Sequence, residues 1–343
     1  MSDAIGPTRR RFLELAARRL LAFEMILMSA QSDLTLQQSP RGPWRSQIRQ
    51  VRAGVLDVGY YEAGHSDGMP VLLLHGFPYS MDSYADVSSI LADHGCRVIV
   101  PHLRGHGTTR FLDATTPRSG QQAAIGKDVL DLMDALQVER AVLAGYDWGG
   151  RAACVAAALW PDRCAGLVSV NGYLIQDIAN AWQPIAPTIE AGLWYQFYFL
   201  TERGRAGLTA NRSEIARILW TRNSPSWKFD EATFARSAAE FGNADYVEVV
   251  LHSYRHRLGF ADGYAPYVAL ERRLATRPPI AVPTITLDGD ADGVVPATDG
   301  RAASAHFTGA HQHRVLAGVG HNPPQEDPVA FAEAVLALIS GKR

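Results

Sequence analysis

The apolar residues of this chain fall in short unbroken runs, each stopped by glycine or proline. Residues 70–74 (PVLLL) end at His75-Gly76, 97–100 (RVIV) at Pro101 and 141–144 (AVLA) at Gly145. Residues 167–170 (LVSV) end at Asn171-Gly172, 284–287 (TITL) at Asp288-Gly289 and 314–317 (RVLA) at Gly318. Runs of this length and punctuation are what strands buried on both faces look like. Residues 55–63 (VLDVGYYEA) alternate instead, which predicts an exposed strand.

Helical spacing appears between the runs. Ile125, Val129, Leu132 and Leu136 share one face of residues 124–136, and residues 151–159 are rich in alanine. Residues 328–339 form another helix, with Asp327 as its cap and Pro328 at its first position. Strands alternating with helices imply a mostly parallel sheet with helices on both faces, an α/β fold. The alternation breaks over residues 178–264, which lack β runs and hold Trp182, Trp194, Tyr195, Phe197, Tyr198, Phe199, Trp220 and Trp227. That stretch reads as a helical cap inserted between two strands. The α/β core then comprises residues 46–177 and 265–343, and residues 1–45 are a basic N-terminal extension and linker.

Composition narrows the classes. With 47% hydrophobic residues and a net charge of −2 (33 Lys+Arg against 35 Asp+Glu), the chain is neither a disordered polymer nor a typical nucleic-acid binder. No apolar run is long enough for an ordinary membrane span. Cys96, Cys154 and Cys164 form no disulfide framework. Residues 8–13 (TRRRFL) resemble the start of a twin-arginine export signal, but Arg18, Arg19 and Glu24 interrupt the apolar stretch such a signal needs. A cytoplasmic location is favoured, with export to the periplasm as the alternative.

The chemistry is concentrated in a few loops. Gly145-Tyr146-Asp147-Trp148-Gly149-Gly150 follows a strand and precedes a helix, the pattern of a nucleophile elbow. The central residue is aspartate, not serine. A carboxylate attacks an alkyl carbon and forms an alkyl-enzyme ester. His321, in the glycine-rich loop after the last strand, is placed to act as general base. The orienting acid is one of three carboxylates after the preceding strand: Asp292 is favoured and Asp290 second. The alternative place for that acid, after the 167–170 run, holds Asn171. His75-Gly76-Phe77-Pro78 follows the first long apolar run, and His75 reads as an organiser of that loop rather than a base. His311-Gln312-His313 and the pair His252 and His256 are weak metal motifs without a supporting cluster, so no metal is expected.

Over roughly residues 50–343 these features resemble an α/β-hydrolase-fold epoxide hydrolase, through HGFP at 75–78, Arg104-Gly105-His106-Gly107, GYDWGG at 145–150 and the late acid and histidine. Haloalkane and fluoroacetate dehalogenases share these core motifs, so the cap must discriminate. Epoxide hydrolases hydrogen-bond the epoxide oxygen with two cap tyrosines. Residues 194–199 (WYQFYF) resemble the first tyrosine motif and pick out Tyr195; residues 252–255 (HSYR) resemble the second and pick out Tyr254. Tyr198 and Tyr246 are the nearest competitors.

The dehalogenase groups fit less well: position 77 is Phe where an Asn would bind halide, and position 148 is Trp where an Arg would grip a haloacid, although Arg151 is present. The resemblance implies backbone N–H groups of Phe77 and Trp148 as an oxyanion hole. His75, Pro78, Trp194 and Phe197 would line an aromatic pocket suited to a small apolar or aryl epoxide. It implies no cofactor, no nucleic-acid partner and no membrane span, and leaves a homodimer open.

Overall fold

In a computed structural model the described residues are 47–341, and the basic N-terminal extension expected at residues 1–45 lies outside them. One nine-stranded sheet organises this part of the chain. Its strands are β1 (Arg49–Ala53), β2 (Leu56–Gly64), β3 (Pro70–Leu74), β4 (Arg97–Pro101), the two-residue β5 (Arg110–Phe111), β6 (Ala141–Gly145), β7 (Cys164–Val170), β8 (Thr284–Gly289) and β9 (His311–Leu316). The order is β1-β2-β4-β3-β6-β7-β8-β9, with β5 paired to β2. From β4 to β9 every pair is parallel; β1, β2 and β5 pair antiparallel.

The central runs behave as their composition requires. Val71 to Leu73 of β3 and all five residues of β6 are buried, so both faces of the sheet are covered there. Two strands differ from the sequence expectation. The alternating segment read as an exposed strand is β2, and its Val58-Gly59-Tyr60 centre is buried because β2 lies inside the sheet between β1 and β4. The run at 314–317, read as doubly buried, belongs to β9, where Val315 is 49% exposed because β9 is an edge strand.

Ten helices of five residues or more complete the described part: α1 (Ala85–Asp93), α2 (Gln122–Ala135), α3 (Asp147–Leu159), α4 (Trp194–Tyr198), α5 (Glu202–Ala210), α6 (Arg212–Asn223), α7 (Glu231–Ala238), α8 (Tyr246–Arg257), α9 (Val268–Ala275) and α10 (Pro328–Ser340). Two groups pack within themselves against the sheet: α1 with α10, and α2 with α3 and α9. Asp327 caps α10, its carboxylate accepting the Ala330 N–H, with Pro328 at the first helical position. Helices α4 to α8 all fall between β7 and β8. The Trp220 indole N–H of α6 donates to the Pro78 carbonyl at 2.8 Å, which ties this helical insertion to the loop after β3. None of the described helices is long and apolar enough to cross a membrane.

Parallel strands bring the loops after β3, β6, β7, β8 and β9 to one edge of the sheet. Asn171, Asp292 and His321 lie in those loops, and Asp147 begins the helix that follows β6. The carboxyl edge of a parallel sheet is where an open α/β fold binds its ligands.

Candidate active site

Asp147 is the first residue of α3, reached through a sharp turn in which its own φ is +49°. The turn works only because its neighbours lack side chains. A Cβ on Gly149 would stand 1.9 Å from the Leu74 carbonyl oxygen, and one on Gly145 would stand 2.5 Å from the Gly149 backbone. A strained residue locked by close backbone approach is typical of a site that must aim one side chain. The helix N-terminus also favours a carboxylate there.

The Asp147 carboxylate is bound asymmetrically. Oδ1 accepts the Phe77 N–H at 2.7 Å, while Oδ2 lies 3.8 Å from His321 Nε2. On the far side of the imidazole, His321 Nδ1 stands 2.8 Å from Asp292 Oδ2. Burial alone would raise the Asp147 carboxyl; the His321 imidazolium, Arg151 and the Phe77 N–H outweigh it and hold the group at about 2. Burial would likewise lower His321, but the flanking Asp292 and Asp147 carboxylates lift it to about 10. The resting site therefore holds two carboxylates around one imidazolium.

Of the three carboxylates after β8, Asp292 is the one that meets His321. Its Oδ1 accepts the N–H groups of Val294 at 2.7 Å and Val295 at 3.0 Å, and its side chain is fully buried. Asp290 accepts the Gly318 N–H on the surface, and Asp288 accepts Thr298. His75 is buried in the loop after β3: its Nδ1 donates to the Gly76 carbonyl and its Nε2 accepts the Leu103 N–H. Burial, with His106 beside it, keeps His75 well below its usual range and hence neutral.

Tyr195 and Tyr254 come from different helices, α4 and α8, and are 6% and 1% exposed. Their rings meet edge to face at 5.5 Å, and both pack on Phe77, at 6.2 and 5.5 Å. Trp148 completes the group, 5.5 Å from Phe77 and 5.8 Å from Tyr254. Burial is the main cause that raises both phenols, and the Asp147 charge adds to it, so both stay protonated as donors. Tyr198 packs on Trp194 toward the outside of α4. Tyr246 is buried against Phe77, His106 and Phe241, and burial also raises its phenol.

The remaining pocket expectations divide. Pro78 is buried beneath α6, and Trp194 is partly buried against Tyr195. Phe197 does not join the ring cluster: it is 46% exposed, because two residues beyond Tyr195 a helix has turned to its opposite side.

Several further residues support the site. Asn171 donates its side-chain N–H to Asp292 Oδ2 at 3.2 Å. Glu326 accepts the N–H groups of Gly320 at 2.7 Å and Asn322 at 3.0 Å and the Ser224 hydroxyl at 2.6 Å, gripping the loop that carries His321. Ser224 in turn accepts the His321 N–H at 3.0 Å. His102 has the Glu240 carboxylate from the helical insertion at 3.2 Å. No group of three or more metal-ligating side chains occurs among the described residues.

The sequence profile of the alpha/beta hydrolase fold matches residues 69–328, and the chain belongs to that family. Within it the likeness is to epoxide hydrolases. A crystal structure of a candidate epoxide hydrolase from Klebsiella pneumoniae is 51% identical, with a TM-score of 0.84 over 85% of this chain and 97% of that one. Epoxide hydrolase A of Mycobacterium tuberculosis is 24% identical over 305 residues, 82% of this chain and 93% of its own. A non-heme chloroperoxidase of Streptomyces lividans is 25% identical over 296 residues, 82% of this chain and 96% of its own. Relatives of nearly full length thus carry different activities on this fold, and the site residues must decide between them.

Proposed function

We propose that this enzyme is an epoxide hydrolase that opens an epoxide to a vicinal diol through an ester on Asp147. The observation that carries the reading is one juxtaposition. A strained, ionised Asp147 backed by His321 and Asp292 lies under a ring cluster in which two protonated phenols, Tyr195 and Tyr254, meet. The carboxylate selects attack at an alkyl carbon over acyl transfer. The phenols supply what an epoxide needs, because a bare alkoxide is a poor leaving group.

In the first step Asp147 Oδ2, the oxygen that Phe77 leaves free, attacks an epoxide carbon. The C–O bond breaks as a phenol of Tyr195 or Tyr254 gives its proton to the departing oxygen. In the second step His321 Nε2 takes a proton from water, and the hydroxide adds to the ester carbonyl carbon. The Phe77 and Trp148 N–H groups hold the resulting oxyanion. Collapse releases the diol, the proton of the added hydroxyl passing to the leaving alkoxide. The proton taken from water stays on His321 and restores the imidazolium, while the phenolate regains its proton from the one His321 sheds through solvent when Asp147 is alkylated.

Loss of the Asp147 charge on alkylation is also what frees the base. One of the two carboxylates that lift His321 becomes a neutral ester, and the imidazole falls toward the range where a general base works.

A single turnover of styrene oxide in heavy-oxygen water tests the covalent step. The diol is expected to leave without label, and label is expected in Asp147. Labelled diol in the first turnover refutes the ester. Tyr195→Phe and Tyr254→Phe are each expected to lower turnover about 10²- to 10⁴-fold, the usual worth of a general acid. Unchanged rates, or halide release from a bromoalkane with no diol from any epoxide, would overturn the epoxide reading.

A further inference from the structure

Where this chain buries an arginine for structural purposes, it pairs it. Arg104 lies 1% exposed with its guanidinium forked onto both oxygens of Asp128, at 2.6 Å each, and a third bond to the Ser119 carbonyl. Two other arginines break that rule, and both sit at the reacting end of the molecule. Arg151 is 8% exposed and its Nε is shut off from solvent with no partner. Arg257 likewise holds Nε and Nη2 out of solvent with no partner. Neither makes an ion pair among the described residues. Arg151 is buried and Arg257 half-buried, and guanidinium nitrogens shut off from solvent without an acceptor are expensive and rarely kept without a use.

Their positions follow from helical spacing. Arg151 is four residues beyond Asp147 on α3, one turn further along the same face. Arg257 is three residues beyond Tyr254 on α8, and its guanidinium lies over the Tyr254 ring at 4.9 Å. The two helices thus bring the two cations together from the sheet side and the insertion side, and burial with the nearby Arg257 charge lowers Arg151 to about 9.

Charge at the site does not balance. Asp147 and Asp292 supply two negative charges, whereas His321, Arg151 and Arg257 supply three positive ones. One positive charge is left over, beside guanidinium nitrogens that neither solvent nor a hydrogen-bond acceptor reaches. A planar monoanion satisfies both the charge and the forked donor geometry.

We propose that Arg151 and Arg257 form a carboxylate subsite, so that the epoxides this enzyme takes carry a carboxylate close to the ring. The proposal rests on the epoxide reading of the Asp147 site and narrows its substrate class from neutral epoxides to epoxy acids. It replaces the apolar or aryl substrate expected from the aromatic lining, which accounts for the walls of the site and leaves these guanidinium nitrogens without an acceptor.

The test compares glycidate and its longer homologues with the matching neutral amides, in the full chain and in Arg151→Met, Arg257→Met and Arg257→Lys variants. In the parent, at least one acid is expected to exceed its amide by about 10- to 100-fold in kcat/KM, mostly through KM, as charge-assisted hydrogen bonds would give. The acid-over-amide ratio is expected to fall to about one in both Met variants and to recover in part in Arg257→Lys. Propionate is expected to inhibit the parent competitively and raise its melting temperature, and to do neither in the Met variants. Sulfate, a dianion throughout the working pH range, is expected to do neither in any of them.

A parent that hydrolyses neutral epoxides with no preference for acids overturns the carboxylate subsite and leaves the epoxide reading standing. Propionate protection that depends on both arginines, with no epoxide of either kind turned over, overturns the epoxide reading and keeps the anion site. Arg257→Met is expected to melt no lower than the parent, since it removes an unpartnered buried charge. A fall of many degrees marks the guanidinium as structural and refutes the proposal.

Discussion

The His321 imidazole stands between two carboxylates, and replacing Asp147 by Asn removes one of them while keeping the shape. It also imitates the neutral ester of the covalent intermediate. Asp147 Oδ2 lies 3.8 Å from His321 Nε2. Unit charges at that separation and an effective dielectric of about 20 attract by about 4 kcal/mol, which corresponds to about 3 pKa units. His321, held at about 10 in the parent, is therefore expected to titrate near about 7 in Asp147→Asn.

Nitrogen-detected NMR of the imidazole reads this directly. A stability measurement reads it independently. His321 is raised above its unfolded value, so the native state alone holds the proton between about 6.5 and about 10. Its contribution is complete below that window and is lost as pH rises through it. The parent should lose stability across the window by up to about 1.4 kcal/mol per pH unit. In Asp147→Asn the window should shrink to well under about one unit. An imidazole that titrates within about half a unit of the parent's in Asp147→Asn would show that Asp292 alone sets the charge, and the freeing of the base on alkylation would be refuted.

Three further outcomes follow from the same geometry. Gly149→Ala puts a Cβ 1.9 Å from the Leu74 carbonyl, and the elbow is expected to shift at a cost of about 3 kcal/mol or more; a urea midpoint equal to the parent's with full activity would contradict the close approach. Asn171→Ala removes the donor 3.2 Å from Asp292 Oδ2. It is expected to slow ester hydrolysis roughly 5- to 10-fold, with the ester accumulating in burst kinetics, and an unchanged burst counts against a positioning role. Glu326→Gln leaves one acceptor oxygen for the donors of Gly320, Asn322 and Ser224. A loss of about 1–3 kcal/mol in chemical denaturation is expected, together with a lower kcat, and stability equal to the parent's would refute the clamp.

The strands and elbow were legible because each is a local pattern. A strand buried on both faces must be apolar throughout, so the runs ending at Leu74, Val100, Ala144 and Leu287 mark their own positions. The antiparallel strand β1 (RQVRA) was not legible: it lies at an edge, its residues mostly face water, and no run marks it. For the same reason the burial of β9 was overestimated, since a run such as RVLA does not record whether a further strand lies beyond it.

In the site, the Asp147 elbow and the order of acid and histidine could be read along the chain. Asp292 was favoured over Asp290 along the chain, but the contact itself depends on which loop residue turns inward to His321. Glu326 and Ser224 carry no motif, being ordinary polar residues that matter only where two loops meet.

The sequence by itself determined a mostly parallel α/β sheet, a carboxylate at the elbow and an inserted helical region. These are fixed by periodicity, by glycine placement and by residue type, all local properties. The tertiary structure alone decided that Phe197 faces water, that Glu326 and Ser224 hold the His321 loop, and that Arg151 and Arg257 come together with no ion pair of their own. Those two arginines are 106 positions apart in the 343-residue chain. Nothing in a near-neutral net charge announces an uncompensated cation, because charge balance over a chain says nothing of balance within one buried site, where water no longer screens it.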